Sequence, residues 1–218
     1  MIYELHKIIG VLGIFSILFA YSEWIYQQLQ IRVEYTRKLV HVLTGIIALS
    51  FPIVFDKFST VMTLCLIFVI LLVYIERRKL LGSITDIKRQ SSGSIYFPIA
   101  VVLCFGFYAL TGKLVYYLIP LSLLTFCDPL AAIIGQSVPS RKFHFGNNQK
   151  SIAGVIAYCV SSIIVITTVF MFLKLPVSIA AVLIIMTMTC LAEILSQRGA
   201  DNIFIPLSAS LSLFLLNH

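Results

Sequence analysis

Eight stretches of this chain are apolar almost throughout: positions 8–29, 39–55, 58–75, 95–110, 114–135, 152–173, 177–195 and 203–216. A bilayer core takes about 20 helical residues to cross, whereas a spanning strand needs only about 10. Backbone in lipid must satisfy its own hydrogen bonds, so runs of this length fold as helices. The fourth and eighth runs are the shortest, and their ends are the least defined. The expectation is a single all-α polytopic membrane domain over residues 1–218, with about eight transmembrane helices.

Composition agrees. Hydrophobic residues make up 60% of the 218 positions and charged residues 11%, against about a quarter charged in soluble domains. The net charge is +7. In a soluble protein that excess would raise nucleic acid as a partner. Here the basic residues sit in short loops between apolar runs, where topology and anionic headgroups explain them, so no nucleic acid partner is expected.

The charges also orient the chain. Twelve of the sixteen basic residues fall in the loops after the first, third, fifth and seventh runs: Arg32, Arg37 and Lys38; Arg77, Arg78, Lys79, Lys88 and Arg89; Arg141, Lys142 and Lys150; and Arg198. The opposite loops hold only Lys7, Lys57, Lys113 and Lys174. The positive-inside rule puts the first set in the cytoplasm and both termini outside it. A plasma (inner) membrane location with the site facing the cytoplasm follows as the expectation. No signal peptide is evident in the first run. The five cysteines, Cys65, Cys104, Cys127, Cys159 and Cys190, form no CxxC and read as small core residues.

Ser94-Ile95-Tyr96-Phe97-Pro98-Ile99 resembles Asn202-Ile203-Phe204-Ile205-Pro206-Leu207, each opening an even-numbered run four runs apart. The match points to duplicated four-helix halves, with coincidence as the alternative.

Polar residues inside apolar spans are costly and mark functional sites by default. In this topology four helix N-termini face the cytoplasm, each with free N–H groups and the positive end of its dipole. Beside them stand Arg37 and Lys38, then Ser92 to Ser94, then Lys150 and Ser151, then Asp201 and Asn202. Amines, hydroxyls and helix N-termini suit phosphate oxygens. The odd-numbered runs each carry an acid toward the same end: Glu23, Glu76, Asp128 and Glu193. Glu23 and Glu76 read as structural. Asp128 precedes Pro129, which disfavours helical geometry before it, so a helix break about 10 Å below the cytoplasmic end is expected there. Its reading is catalytic or metal-binding, against an Asp paired with a buried Lys or Arg. His41 stands one turn beyond Arg37, and Gly45 continues that face. A lone His is more often a hydrogen-bonded interior residue than a catalyst. Lys150-Ser151 before Gly154 shares the physics of a phosphate-binding helix start, but the glycine spacing of a P-loop is absent.

Taken in order, Arg37-Lys38-x-x-His41-x-x-x-Gly45, Asp128-x-x-Ala131-x-x-x-Gly135, Lys150-Ser151-x-x-Gly154 and Glu193…Asp201-Asn202-x-x-x-Pro206 resemble the polytopic lipid-alcohol kinases, namely dolichol kinase, phytol kinase and the CTP-dependent diacylglycerol kinase. That family is similar in turn to the CDP-diacylglycerol synthases. The resemblance covers residues 37 to about 206. Family members often have Gly before the aspartate and a basic residue after the later glycine, where this chain has Cys127 and Gln136.

The resemblance implies transfer of a phosphoryl group from a nucleoside triphosphate, CTP favoured over ATP, to the hydroxyl of a membrane lipid alcohol (polyprenol, phytol-like or diacylglycerol). Such transfer needs positioning, charge neutralisation and a bridging metal. Asp128, with Asp201 and Asn202, would hold Mg2+ or another divalent cation. Arg37, Lys38, Ser94, Lys150, Ser151 and Gly154 would hold the triphosphate. Glu193, His41 or Asp128 would take the hydroxyl proton. Two alternatives stand beside this reading. One is a CTP-dependent cytidylyltransferase acting on phosphatidate, and the other a small anion transporter.

Overall fold

The computed structural model describes residues 2–85, 93–145 and 148–217. Lys88, Arg89 and Ser92, named above, lie outside the described residues. All eight apolar runs fold as helices. Six are long and apolar enough to cross a membrane, at 19 to 26 residues each: Glu4–Leu29, Val33–Val54, Phe58–Arg78, Gly93–Thr111, Val115–Ser137 and Ile152–Phe172. The last two, Ile179–Leu195 and Asp201–Leu215, are apolar helices of 17 and 15 residues. At 1.5 Å per residue these reach ~26 and ~23 Å, short of a ~30 Å hydrocarbon core. The short helices are therefore the seventh and eighth. The fourth, expected to be short, runs a full 19 residues because it starts at Gly93 and extends to Thr111, beyond the strictly apolar stretch at both ends.

The elements in chain order are α1 (Ile2–Leu29), α2 (Val33–Leu49), α3 (Phe51–Val54), α4 (Phe58–Arg78), α5 (Gly82–Thr85), α6 (Gly93–Thr111), α7 (Val115–Ser122), a π-helical turn (Leu123–Cys127), α8 (Asp128–Ser137), strands β1 (Lys142–Phe145) and β2 (Asn148–Ser151), α9 (Ile152–Phe172), α10 (Ile179–Leu195) and α11 (Asp201–Leu215). The antiparallel β1–β2 hairpin adds to the expected all-α architecture and pairs Phe143 with Lys150.

Contacts between distant loops show that successive helices alternate in direction. At one end, the Ser83 amide between α4 and α6 donates to Glu23 near the end of α1. Thr36, at the start of α2, donates to the Ser83 carbonyl. Asn202, at the start of α11, donates to the Gly93 carbonyl at the start of α6. At the other end, Lys7 in α1 pairs with Asp56 just before α4. The described members of the arginine- and lysine-rich set thus share one end of the bundle. Glu23, read as structural from the sequence, accepts from a backbone N–H and from the Gln27 side chain.

Two buried clusters form the core. Residues of α1, α2, α4 and α6 build one, and residues of α9, α10 and α11 the other. The α7 helix and its π turn divide between them. Tyr117, Leu121 and Leu124 face the first cluster, whereas Tyr116, Ile119 and Leu123 face the second. Outward side chains are large and apolar, such as Ile17, Ile53 and Leu110 at 72%, 87% and 86% exposure. Water would not tolerate such a surface over a whole fold, but lipid does. The chain is a multi-pass membrane protein. The five cysteines are all free, and four of them are buried.

Candidate active site

The site begins at the π turn. Pro129 has no N–H, and Asp128 N bonds to the Leu123 carbonyl five residues back instead of to Leu124. The Leu124 carbonyl therefore loses both helical donors. His41 supplies the replacement, with Nε2 3.0 Å from that oxygen. A carbonyl only accepts, so Nε2 carries the proton and Nδ1 is the ring nitrogen left for other partners. The helix break expected at Asp128 does not occur. The backbone stays helical there, at φ −62° and ψ −50°, because the wide turn absorbs the proline.

The face of α2 that carries His41 docks along this turn. Lys38 Nζ reaches Asp128 Oδ2 at 2.6 Å. Gly45, one turn beyond His41, lets the two helices close up, since a Cβ there would lie 2.3 Å from Thr125 Oγ1. A second close approach joins α8 to α9. A Cβ on Gly154 would lie 2.9 Å from the Ala131 carbonyl, and one on Gly135 would lie 2.7 Å from Ser151 Oγ. Ser151 and Lys150 are thereby brought beneath Asp128. Lys150 leaves β2 to pair with Glu193, near the end of α10.

Two buried Lys–carboxylate pairs therefore face one space. Asp128 is 4% exposed and Glu193 6%. Lys38, His41 and Lys150 all act electrostatically on Asp128. Asp201 adds a third carboxylate, close enough to repel both Asp128 and Glu193. Burying charge of both signs is expensive unless each is paired.

The helix starts correct one expectation. The first amides of α9 are already occupied: Ile152 N by the Arg141 carbonyl, Ala153 N by Ser140 Oγ, and Gly154 N by Ser151 Oγ. Ser151 is the N-cap of α9 rather than a free hydroxyl. At α11 the Asn202 and Ile203 amides bond to Gly199 and Ala200 carbonyls. Side chains, not backbone amides, are what α9 and α11 offer a phosphate. Asn202 is not a helix cap either. The α11 helix starts at Asp201 and runs through Pro206. The Asn202 side chain holds α6 instead, its Nδ2 2.6 Å from the Gly93 oxygen.

All eleven residues singled out in the sequence line one cavity of about 260 Å³. Asp128, Glu193 and His41 are there, with Arg37, Lys38 and Ser94, with Lys150, Ser151 and Gly154, and with Asp201 and Asn202. The cavity continues from this polar end into the first core cluster, past Phe97 to Phe51. Lys142 and Gln149 of the hairpin and Gln136 of α8 line it as well. Sequence reasoning missed them. The available signal was the Gly146-Asn147 dipeptide between Lys142 and Lys150, a composition that favours a hairpin and would bring the segment of Lys142 back along that of Lys150.

Among the described residues, no three His, Cys, Asp or Glu side chains group as a ready-made metal site. Mg2+ does not require one, since it takes one or two carboxylates and completes its shell with water and phosphate oxygens. Asp128 and Asp201 at the wall of an open polar cavity fit that pattern. Asn202 lines the same cavity and could add its side-chain amide oxygen.

Phytol kinase of Synechocystis sp. is 25% identical to this chain over 138 residues, which is 62% of the chain and 59% of that protein. The chain thus spans less than two thirds of the relative it matches. No profile of a known family matches the chain, and no solved structure does. The ordered motifs thus meet on one cavity in a chain that is similar, over 62% of its length, to a membrane phytol kinase.

Proposed function

We propose that the protein is a membrane lipid kinase, transferring a phosphoryl group from a nucleoside triphosphate to the hydroxyl of a lipid alcohol. CTP is the favoured donor, and the site faces the cytoplasm at the plasma (inner) membrane. One observation carries the reading: a single cavity joins a cluster of lysines and carboxylates to an apolar interior within the bundle. A charged triphosphate and a greasy alcohol meet naturally at that junction. The basic residues around it favour the cytoplasmic side.

In this reading Arg37, Lys38 and Lys150, with Lys142 beside them, hold the phosphates. Asp128, Asp201 and Asn202 would hold Mg2+, which neutralises the charge that builds on the transferring group when it is bound. Lys38 and Lys150 keep Asp128 and Glu193 compensated in the unliganded protein and turn to phosphate oxygens as nucleotide arrives. His41, fixed by the Leu124 carbonyl, orients the alcohol or takes its proton through Nδ1. Glu193 and Asp128 are the other two acceptors in reach of the cavity.

The test is purified protein with each of four γ-labelled nucleoside triphosphates, Mg2+ and a panel of lipid alcohols. Label transferred to an alcohol supports the reading. Label from α-labelled CTP appearing in phosphatidate instead would assign cytidylyltransfer, and no transfer at all would return the site to anion binding.

A further inference from the structure

We propose that the apolar arm of the cavity is a blind slot for one lipid chain, and that Ala48 and Phe51 at its floor limit the length of that chain. The proposal rests on the kinase reading and names its acceptor class: a single-chain alcohol of bounded length. A two-chain glyceride or a long polyprenol would not fit.

The slot follows α2. Lys38, His41, Thr44 and Ala48 line it at intervals of three or four residues along one face of α2, and Phe51 at the start of α3 follows them. From Lys38 to Ala48 is 10 positions of continuous helix, or ~15 Å of rise, with Phe51 just beyond. A single leaflet of hydrocarbon is ~15 Å deep. An alcohol with its hydroxyl beside Lys38 and Asp128 therefore has room for a chain about one leaflet long, and no more.

The walls come from α1 and α4, and they are interior. Phe15, Phe19 and Phe68 line the slot at 6%, 8% and 5% exposure, whereas Ile17 and Ile70 on the same helices are 72% and 62% exposed. Phe15 and Phe68 close it from the bilayer with ring centroids 4.4 Å apart. The floor is held firmly. Tyr117, fully buried, donates to the Ala48 carbonyl at 2.6 Å. Phe51 meets Phe55 edge-on at 5.2 Å, and each is 2% exposed.

Among the described residues, the large apolar side chains lining the cavity come from α1 to α6, whereas α8 to α11 contribute polar and small residues and Val155, so the cavity has one large apolar arm. One arm takes one chain. Transfer out of a bilayer into this slot gains little hydrophobic free energy, since lipid is already apolar. Selection must then come from exclusion at the floor.

The experiment measures kcat/KM in mixed micelles for primary alcohols of increasing chain length, and for a diacylglycerol, with wild type, Ala48→Leu and Phe51→Ala. Wild type should use the fitting chains about equally and fall roughly tenfold or more once the chain overfills the slot, the scale at which apolar pockets discriminate. The cutoff should move to shorter chains in Ala48→Leu and to longer ones in Phe51→Ala. A short alcohol that ends near Thr44 should be used alike by all three, which shows that the variants are folded. An unmoved cutoff, or diacylglycerol used as well as the best single chain, overturns the slot while leaving the kinase reading standing. If no alcohol is phosphorylated with any nucleotide, the kinase reading fails. The slot is then judged by mass spectrometry of labelled alcohols retained by the three proteins: the same opposite shifts in retained length support it, and equal retention or retained phospholipid overturns it.

Discussion

Lys38 Nζ and Asp128 Oδ2 stand 2.6 Å apart across 90 positions of sequence, tying the start of α2 to the start of α8 inside the bundle. The pair is largely shielded, with side-chain exposures of 13% and 6%. Replacing such a pair with apolar residues is often neutral for stability, while removing one partner strands the other charge. Asp128→Asn keeps an oxygen for the Lys38 ammonium, so the variant should insert and fold. It should lose about 100-fold or more in turnover, the scale for removing one charge-stabilising group. The double variant Lys38→Met/Asp128→Leu should melt close to wild type and be equally inactive. Near-normal turnover in Asp128→Asn would make the pair structural and remove the centre of the proposed mechanism.

How much of this was legible in the sequence depended on range. The eight helices followed from apolar run length, because lipid leaves backbone no alternative. The grouping of Arg37, Lys38, Asp128, Lys150, Glu193 and Asp201 at one end followed from alternating direction and the placement of charge. Local exceptions were hidden. Pro129 announces a disturbed helix, but the widening into a π turn leaves the Leu124 carbonyl to His41, 83 positions before Leu124 in the chain. The caps of α9 depend on Arg141 and Ser140 returning through a hairpin. The lipid-side arm was invisible, since Phe15, Phe51 and Phe68 read like any other apolar residue until their neighbours are known.

Gly45 tests the docking of α2 on the π turn. Any Cβ there meets Thr125 at 2.3 Å. Gly45→Ala should lower stability by about 1–3 kcal/mol, the usual cost of overpacking, despite the better helix propensity of alanine. It should also reduce activity, because His41 and Lys38 ride on the same face. Thermal unfolding in detergent gives the first result and turnover the second. A Gly45→Ala protein as stable and active as wild type would mean that α2 is free to shift.

Lys150 pairs with Glu193 where β2 enters α9. If its ammonium turns to the phosphates, charge matters more than shape. Lys150→Arg should keep part of the activity, since a guanidinium holds the charge without the compact head. Lys150→Met should be nearly inactive, with the loss mainly in nucleotide KM. Lys150→Met with unchanged nucleotide KM would remove this residue from the phosphate site.

The placement of charge predicts which side each loop occupies. Cysteines introduced at Lys142 and Arg198, in a background lacking native cysteines, should react with impermeant reagents only from the cytoplasmic side, and one at Asp56 only from the opposite side. Labelling of Lys142 and Asp56 positions from the same side would overturn the topology, and labelling of the Lys142 position only from outside would reverse the face of the site.

Asp201 and Asn202 provide the test that separates chemistry from architecture. The Asp201 carboxylate, on the first residue of α11, accepts from the Asn202 amide at 3.0 Å. Asn202 bonds across to the Gly93 carbonyl and is 5% exposed, so it ties the starts of α11 and α6 together. Both residues also line the cavity that holds Asp128. Serine can accept at a helix start nearly as well as aspartate. If Asp201 serves only there, Asp201→Ser should preserve both stability and turnover. If its carboxylate helps to hold Mg2+, the melting temperature should barely change while activity falls and the Mg2+ concentration needed for half-maximal rate rises, because a hydroxyl is a poor substitute for a carboxylate on a hard cation. Asn202→Ser is expected to behave differently. It removes a buried hydrogen bond and leaves the Gly93 oxygen without it, at a cost of about 1–3 kcal/mol. Its loss of activity should therefore come with a lower melting temperature, and added Mg2+ should not repair it. An Asp201→Ser enzyme with wild-type turnover and an unshifted Mg2+ requirement would leave Asp128 to hold the metal without a second carboxylate from α11.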